Sequence, residues 1–100
     1  SNSGAVKSDM DKVFNLVGYS KPVWLTEFGF TVASHGQAGQ ADQINQVYTD
    51  NFNRSTWWQK SFYYFKDMTG VCDSWGLLCQ DYTRKQSFYR YQQIAGGSDY

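Results

Sequence analysis

Residues 21–30, Lys-Pro-Val-Trp-Leu-Thr-Glu-Phe-Gly-Phe, constrain this chain more than any other stretch and predict a strand over 22–28. An apolar run entered through a proline suits a strand covered on both faces, as in a parallel sheet. Pro22 is tolerated because the first residue of a strand need not donate to the ladder. Glu27 does not belong there on grounds of stability, since a buried carboxylate is costly unless it has a partner. It reads either as half of a structural ion pair or as a functional group. The carboxyl end of a buried parallel strand is where an α/β protein builds its chemistry.

The neighbouring patterns supply the rest of such a unit. Ser8 followed by Asp11 reads as a capped helix start. Met10, Val13, Phe14 and Val17 then fall on one helical face, with Gly18 as the stop, which predicts a helix over 8–17. Residues 29–39, with Gly29, Gly36 and Gly39, read as a loop. Ala41, Ile44, Val47, Tyr48 and Phe52 form a second helical stripe ending near Asn53. Ser61-Phe62-Tyr63-Tyr64-Phe65 reads as a second buried strand, and residues 67–81 as a longer loop. A last helix begins near Thr83 or Arg84, buries Phe88, Tyr91, Ile94 and Ala95, and stops at Gly96 and Gly97, with the final three residues frayed. The expected order is helix, strand, helix, strand, helix, with the longer loops after the strands. Strand–helix–strand over this length implies a right-handed parallel crossover.

Composition narrows the function classes. A chain of 100 residues allows one small domain with a modest core. Nine basic residues balance nine acidic ones, which argues against nucleic acid and against a polybasic membrane surface as partners. No apolar run is long enough to span a bilayer, and the first residues lack the basic-then-apolar pattern of a signal peptide. Aromatic residues make up 19% of the chain, which suits both core packing and flat faces for a ligand. Trp24 reads as core, and Trp57 and Trp58 as packing ahead of the second strand. Cys72 and Cys79 have no histidine partner at metal-ligand spacing. A local disulfide pinning the loop between them and two buried thiols both fit. Asn53-Arg54-Ser55 matches a glycosylation sequon. These two features lean toward a secreted or extracellular protein.

Lys21-Pro22-Val23-Trp24-Leu25-Thr26-Glu27-Phe28-Gly29 resembles the seventh strand of clan-A retaining glycoside hydrolases, which share a (β/α)8 barrel. In that clan a Thr-Glu-Phe-Gly string carries the catalytic nucleophile, so the resemblance implies that role for Glu27. Ser61-Phe62-Tyr63-Tyr64-Phe65-Lys66-Asp67 is similar to the eighth strand. Trp75-Gly76-Leu77-Leu78 followed by Asp81-Tyr82-Thr83-Arg84-Lys85 is similar to the passage into the eighth helix. The resemblance covers residues 7–96, with xylosidase-like or cellulase-like members nearest. It implies an α/β fold, the C-terminal quarter of a TIM barrel, in the order α-β-α-β-α with two parallel strands. Three departures accompany it. Phe62, Tyr63 and Tyr64 stand where the clan commonly offers a tryptophan beneath the sugar, and Gln86 replaces the proline that often follows the lysine. The strand that would carry the general acid/base has no counterpart.

A retaining enzyme holds two carboxyl groups about 5–5.5 Å apart, one attacking the anomeric carbon and the other acting as acid and then base. The resemblance therefore implies double displacement on a β-linked polysaccharide or oligosaccharide, with no metal and no organic cofactor. Its partners are the carbohydrate substrate and the upstream remainder of the barrel. Phe62, Tyr64, His35 and Trp75 are the candidate substrate contacts. His35 suits either a sugar hydroxyl or solvent, and Trp75 either a sugar face or the floor of its own loop. Asp67 and Asp81 are the other acids near strand ends. Neither is assigned as the acid, and Asp81 reads as a helix cap. The chain alone is expected to be inactive and marginally stable, because each strand leaves an open edge. The alternative is a non-catalytic carbohydrate-binding or assembly fragment of a barrel.

Overall fold

A computed structural model describes residues 2–18 and 21–96. Its elements run α1 (Ser3–Val17), β1 (Val23–Phe28), α2 (Val32–Asn53), β2 (Trp58–Tyr63) and α3 (Gln86–Ile94). The two strands pair in parallel, so the mixed α/β class and the expected element order hold. The expected stop at Gly97 and the frayed end lie outside the described residues.

α1 starts five residues earlier than its Ser8 signal. Asn2 is the cap, its side chain accepting from the Ala5 N–H at 2.9 Å. The stripe that meets the core is Val6, Met10 and Phe14, spaced by four, while Val13 and Val17 are each a little over a third exposed. Gly18 closes the helix at φ 61°, with its N–H on the Phe14 carbonyl, a conformation that favours glycine.

The segment expected as a loop over 29–39 is mostly helical. Thr31 caps α2 by accepting from the Ser34 N–H at 3.1 Å, and only residues 29–31 separate the helix from β1. The glycine signal was local: Gly36 alone leaves helical geometry, at φ 71°. The loop after β1 is therefore shorter than expected. Ile44 and Val47 are fully buried. Phe52 of the expected stripe is exposed, and Asn51 turns inward instead, donating to the Trp58 carbonyl at 2.7 Å.

β2 begins three residues before the expected Ser61, because the tryptophans belong to it or flank it. Trp58 is 0% exposed, and its indole N–H donates to Ser61 Oγ at 2.8 Å. Trp57 supplies the carbonyl that receives the Val23 N–H at 2.7 Å. α3 begins later than expected, at Gln86. The backbone of 83–85 is occupied elsewhere: Thr83 O accepts from Cys79 N–H, and Lys85 N–H donates to Leu77 O. Asp81 is accordingly no helix cap. It accepts from the Thr83 N–H at 3.0 Å in a turn. Phe88, Tyr91 and Ile94 pack on the core, and Ala95 is exposed.

All three helices contribute to one core with Val23, Leu25, Phe28, Trp58 and Tyr63. They lie on one face of the sheet. Among the described residues nothing covers the opposite face, which corrects the expectation that β1 is covered on both sides. Trp24 is 51% exposed there, with Phe62 beside it at 6.3 Å and the Lys60 ammonium over its ring at 4.6 Å. Arg54, the C-cap of α2, is tied to the middle of α1 through Asp11 at 3.0 Å. Among the described residues no helix is long and apolar enough to cross a membrane.

Candidate active site

Glu27 reaches solvent because of an irregularity in β1. Leu25 pairs with Ser61 and Phe28 with Tyr63, so three steps on β1 span two on β2. The extra residue breaks the in–out alternation: Thr26 and Glu27 are both exposed, and Phe28 returns to the core. A bulge of this kind re-aims a side chain near the end of a strand. The polar pair Thr26–Glu27 between two apolar residues is its trace in the sequence.

Beyond β1 lies a cavity of about 490 Å³, within the range of small-ligand sites. Glu27, Tyr64, Lys66, Trp75 and the backbone around Gly29 and Gly76 shape it. The Tyr64 hydroxyl donates to Glu27 Oε2 at 3.1 Å. Acceptance of that hydrogen bond by the carboxylate, and then its charge, hold the Tyr64 phenol above the usual tyrosine range. Trp75 faces Tyr64 at 6.3 Å between ring centroids. Phe62 and His35 lie apart from this cavity. Phe62 sits on the open sheet face. His35 is on α2, half-buried, with its ring edge-on to Phe30 at 5.8 Å.

The far wall rests on a buried polar hub. Asp67 and Lys85 form an ion pair at 2.8 Å with both side chains wholly buried. Asp67 also accepts from the Ser74 N–H at 3.2 Å and the Gly76 N–H at 2.7 Å, and Lys85 donates to Ser74 O at 3.2 Å. Such additional hydrogen bonds are what a buried pair needs to offset its desolvation. Gln40, 0% exposed, shares its amide N–H groups among the carbonyls of Phe30, Ser74, Trp75 and Gly76 at 2.9–3.3 Å. Its Oε1 has no hydrogen-bond partner among the described residues. Cys72 and Cys79 are joined by a disulfide that closes the same loop. An added Cβ at Gly76 would strike the backbone of Lys66 and Asp67, so only glycine admits this close approach.

Three of these roles were not read from the sequence. Nothing in an amphipathic stripe distinguishes Gln40 from a solvent-facing amide. The burial of Lys85 depends on a partner 18 residues away. The Tyr64–Glu27 bond depends on which side of the strand end each residue leaves. Among the described residues no group of three or more His, Cys, Asp or Glu side chains is placed to hold a metal ion.

An acid presented by a parallel strand into an aromatic-walled cavity, on an α/β scaffold, has the form of a site for a polar, ring-bearing ligand. The family comparison is more particular. The model of the glycosyl hydrolase catalytic core matches residues 1–91, and the chain belongs to that family. It is thus a glycoside hydrolase domain, and its substrate is a carbohydrate. No curated protein and no solved structure matches the chain.

Proposed function

We propose that the chain supplies the nucleophile, Glu27, of a retaining glycoside hydrolase that cleaves β-linked polysaccharide or oligosaccharide. The observation that carries this reading is the contrast between two acids. Glu27 is exposed at a strand end beside the cavity, whereas Asp67, which also lines it, is neutralised inside a buried ion pair.

In the first step a Glu27 oxygen attacks the anomeric carbon as the bond to the leaving oxygen breaks, and that oxygen takes a proton from the acid/base carboxyl. In the second, water gives a proton back to that carboxyl and attacks the same carbon, releasing Glu27 as carboxylate. On this reading the acid/base group belongs to the remainder of a (β/α)8 barrel, of which this chain forms the seventh and eighth strands. The open sheet face bearing Trp24 and Phe62 supports that arrangement, because two such aromatics favour cover by further strands. Trp75, 49% exposed, offers a stacking face to the sugar, while the placement of Phe62 and His35 favours packing roles. The loop disulfide and the exposed Asn53 of the sequon support secretion.

The test is to treat the natural protein that contains this chain with mechanism-based fluorosugars of the gluco and xylo series and map the adduct by peptide mass spectrometry. A covalent glycosyl group on Glu27 is expected. Reversible binding with no adduct would replace the catalytic reading with that of a carbohydrate-binding fragment.

A further inference from the structure

The aromatic wall beside Glu27 is closed as tightly as side chains allow. Gly29, two residues beyond Glu27, is the gap into which it closes. A Cβ there would come within 2.8 Å of Trp75 Cδ1 and 2.9 Å of Tyr64 Cδ2, distances that side chains do not adopt. Trp75 is fixed from behind, since its carbonyl accepts from Gln40 at 3.3 Å, and its neighbours Ser74 and Gly76 donate to Asp67. Contacts therefore run without a break from the buried ion pair through Trp75 to Tyr64, and from the Tyr64 hydroxyl to Glu27.

We infer that Tyr64 is a positioning residue for Glu27: its hydroxyl holds Oε2 of the carboxylate and leaves Oε1 for attack, while Trp75 and the gap at Gly29 hold the ring in place. This rests on the reading of Glu27 as nucleophile. Tyr64 keeps its proton throughout. As Oε1 bonds to the anomeric carbon, Oε2 becomes the carbonyl oxygen of the ester and still accepts from Tyr64. The negative charge passes to the leaving oxygen, which the acid/base carboxyl protonates. Tyr64 is then not the floor beneath the sugar, and the stacking face falls to Trp75 alone. The role needs the hydroxyl, whereas a stacking role would need only the ring, and Tyr64→Phe separates the two.

The experiment compares the natural protein with its Tyr64→Phe and Glu27→Gln variants. Tyr64→Phe is expected to lower kcat on aryl β-glucosides or xylosides by about 10–100-fold with KM changed less than about twofold, the loss of one hydrogen bond to a charged group. By ultraviolet difference titration, the Tyr64 phenol is expected to ionise at lower pH in Glu27→Gln than in the parent, with Tyr64→Phe identifying its signal. The titration checks the hydrogen bond itself, and the kcat-against-KM split separates a positioning role from a merely structural one, which would leave that split unmoved. Glu27 labelled by the fluorosugar, with Tyr64→Phe matching the parent kinetically, overturns this inference alone. A parent protein that hydrolyses these glycosides without labelling at Glu27 overturns the nucleophile reading and this inference with it.

Discussion

Two carboxylates stand just at or beyond the ends of the two parallel strands, and they have opposite surroundings. Glu27, next to last in β1, has its side chain in solvent and accepts from the Tyr64 hydroxyl. Asp67, four residues past β2, has its side chain wholly buried and accepts from an ammonium and two backbone N–H groups. The first carboxylate has spare lone pairs and an open approach, so it can form a new bond. The second is spent on holding Ser74, Gly76 and Lys85 in register. Position at a strand end therefore does not make an acid functional. The partners that surround it decide the role.

Removing Glu27 tests that comparison most severely. Glu27→Gln keeps the size and an acceptor but not the nucleophile, so kcat should fall by ~10⁴-fold or more. Its thermal stability should stay within about 0.5 kcal/mol of the parent, as for an exposed site. Calorimetry and turnover on the same preparation check both. Retained activity would move the nucleophile elsewhere.

Asp67 should show the reverse. Asp67→Asn or Lys85→Met leaves one charge buried without its counter-ion and should cost about 3–5 kcal/mol of stability. The double variant Asp67→Leu/Lys85→Met should cost less than the sum of the two single changes, because neither charge is then left alone. Activity lost in the single variants should follow the unfolded fraction and recover on cooling below the transition. Single variants as stable as the parent would show that the pair does not anchor the loop.

The same contrast marks what was legible in the sequence. Glu27 was legible because a polar pair interrupts an apolar strand, and the parallel order because helical and strand periods alternate along the chain. The face of β1 that carries Trp24 was not. Its hydrophobicity says that it favours cover, but the described neighbours leave it half in solvent. Lys85 was unreadable as core for a different reason. A lysine signals solvent unless its counter-ion is known, and Asp67 reaches it only through the fold. Gly36 misled because one left-handed residue between two helical segments has the same local signature as a loop.

The smallest effect concerns Tyr63, which joins the core to the site loop without touching Glu27. Its hydroxyl donates to the Phe30 carbonyl and accepts from the Phe30 N–H, both at 3.1 Å. Burial pushes its phenol up to about 12, although the bonds from Phe30 and Gln40 pull the other way. The unfolded chain releases that proton near pH 10. Between these values the folded state binds more protons than the unfolded one, so stability falls as pH rises through the window. The slope is about 1.4 kcal/mol per pH unit for one such group. Tyr48, raised in the same direction chiefly by burial, steepens it. Tyr63→Phe should therefore be less stable than the parent at neutral pH by about 1 kcal/mol, having lost its hydrogen bonds to Phe30. It should also lose stability more gently above pH 10, with the remaining slope coming from Tyr48. Urea unfolding at a series of alkaline pH values measures both quantities. An unchanged alkaline slope in Tyr63→Phe would mean that the phenol titrates alike in the folded and unfolded chains. The hydroxyl would then have to be solvated rather than held between α2 and the strand end.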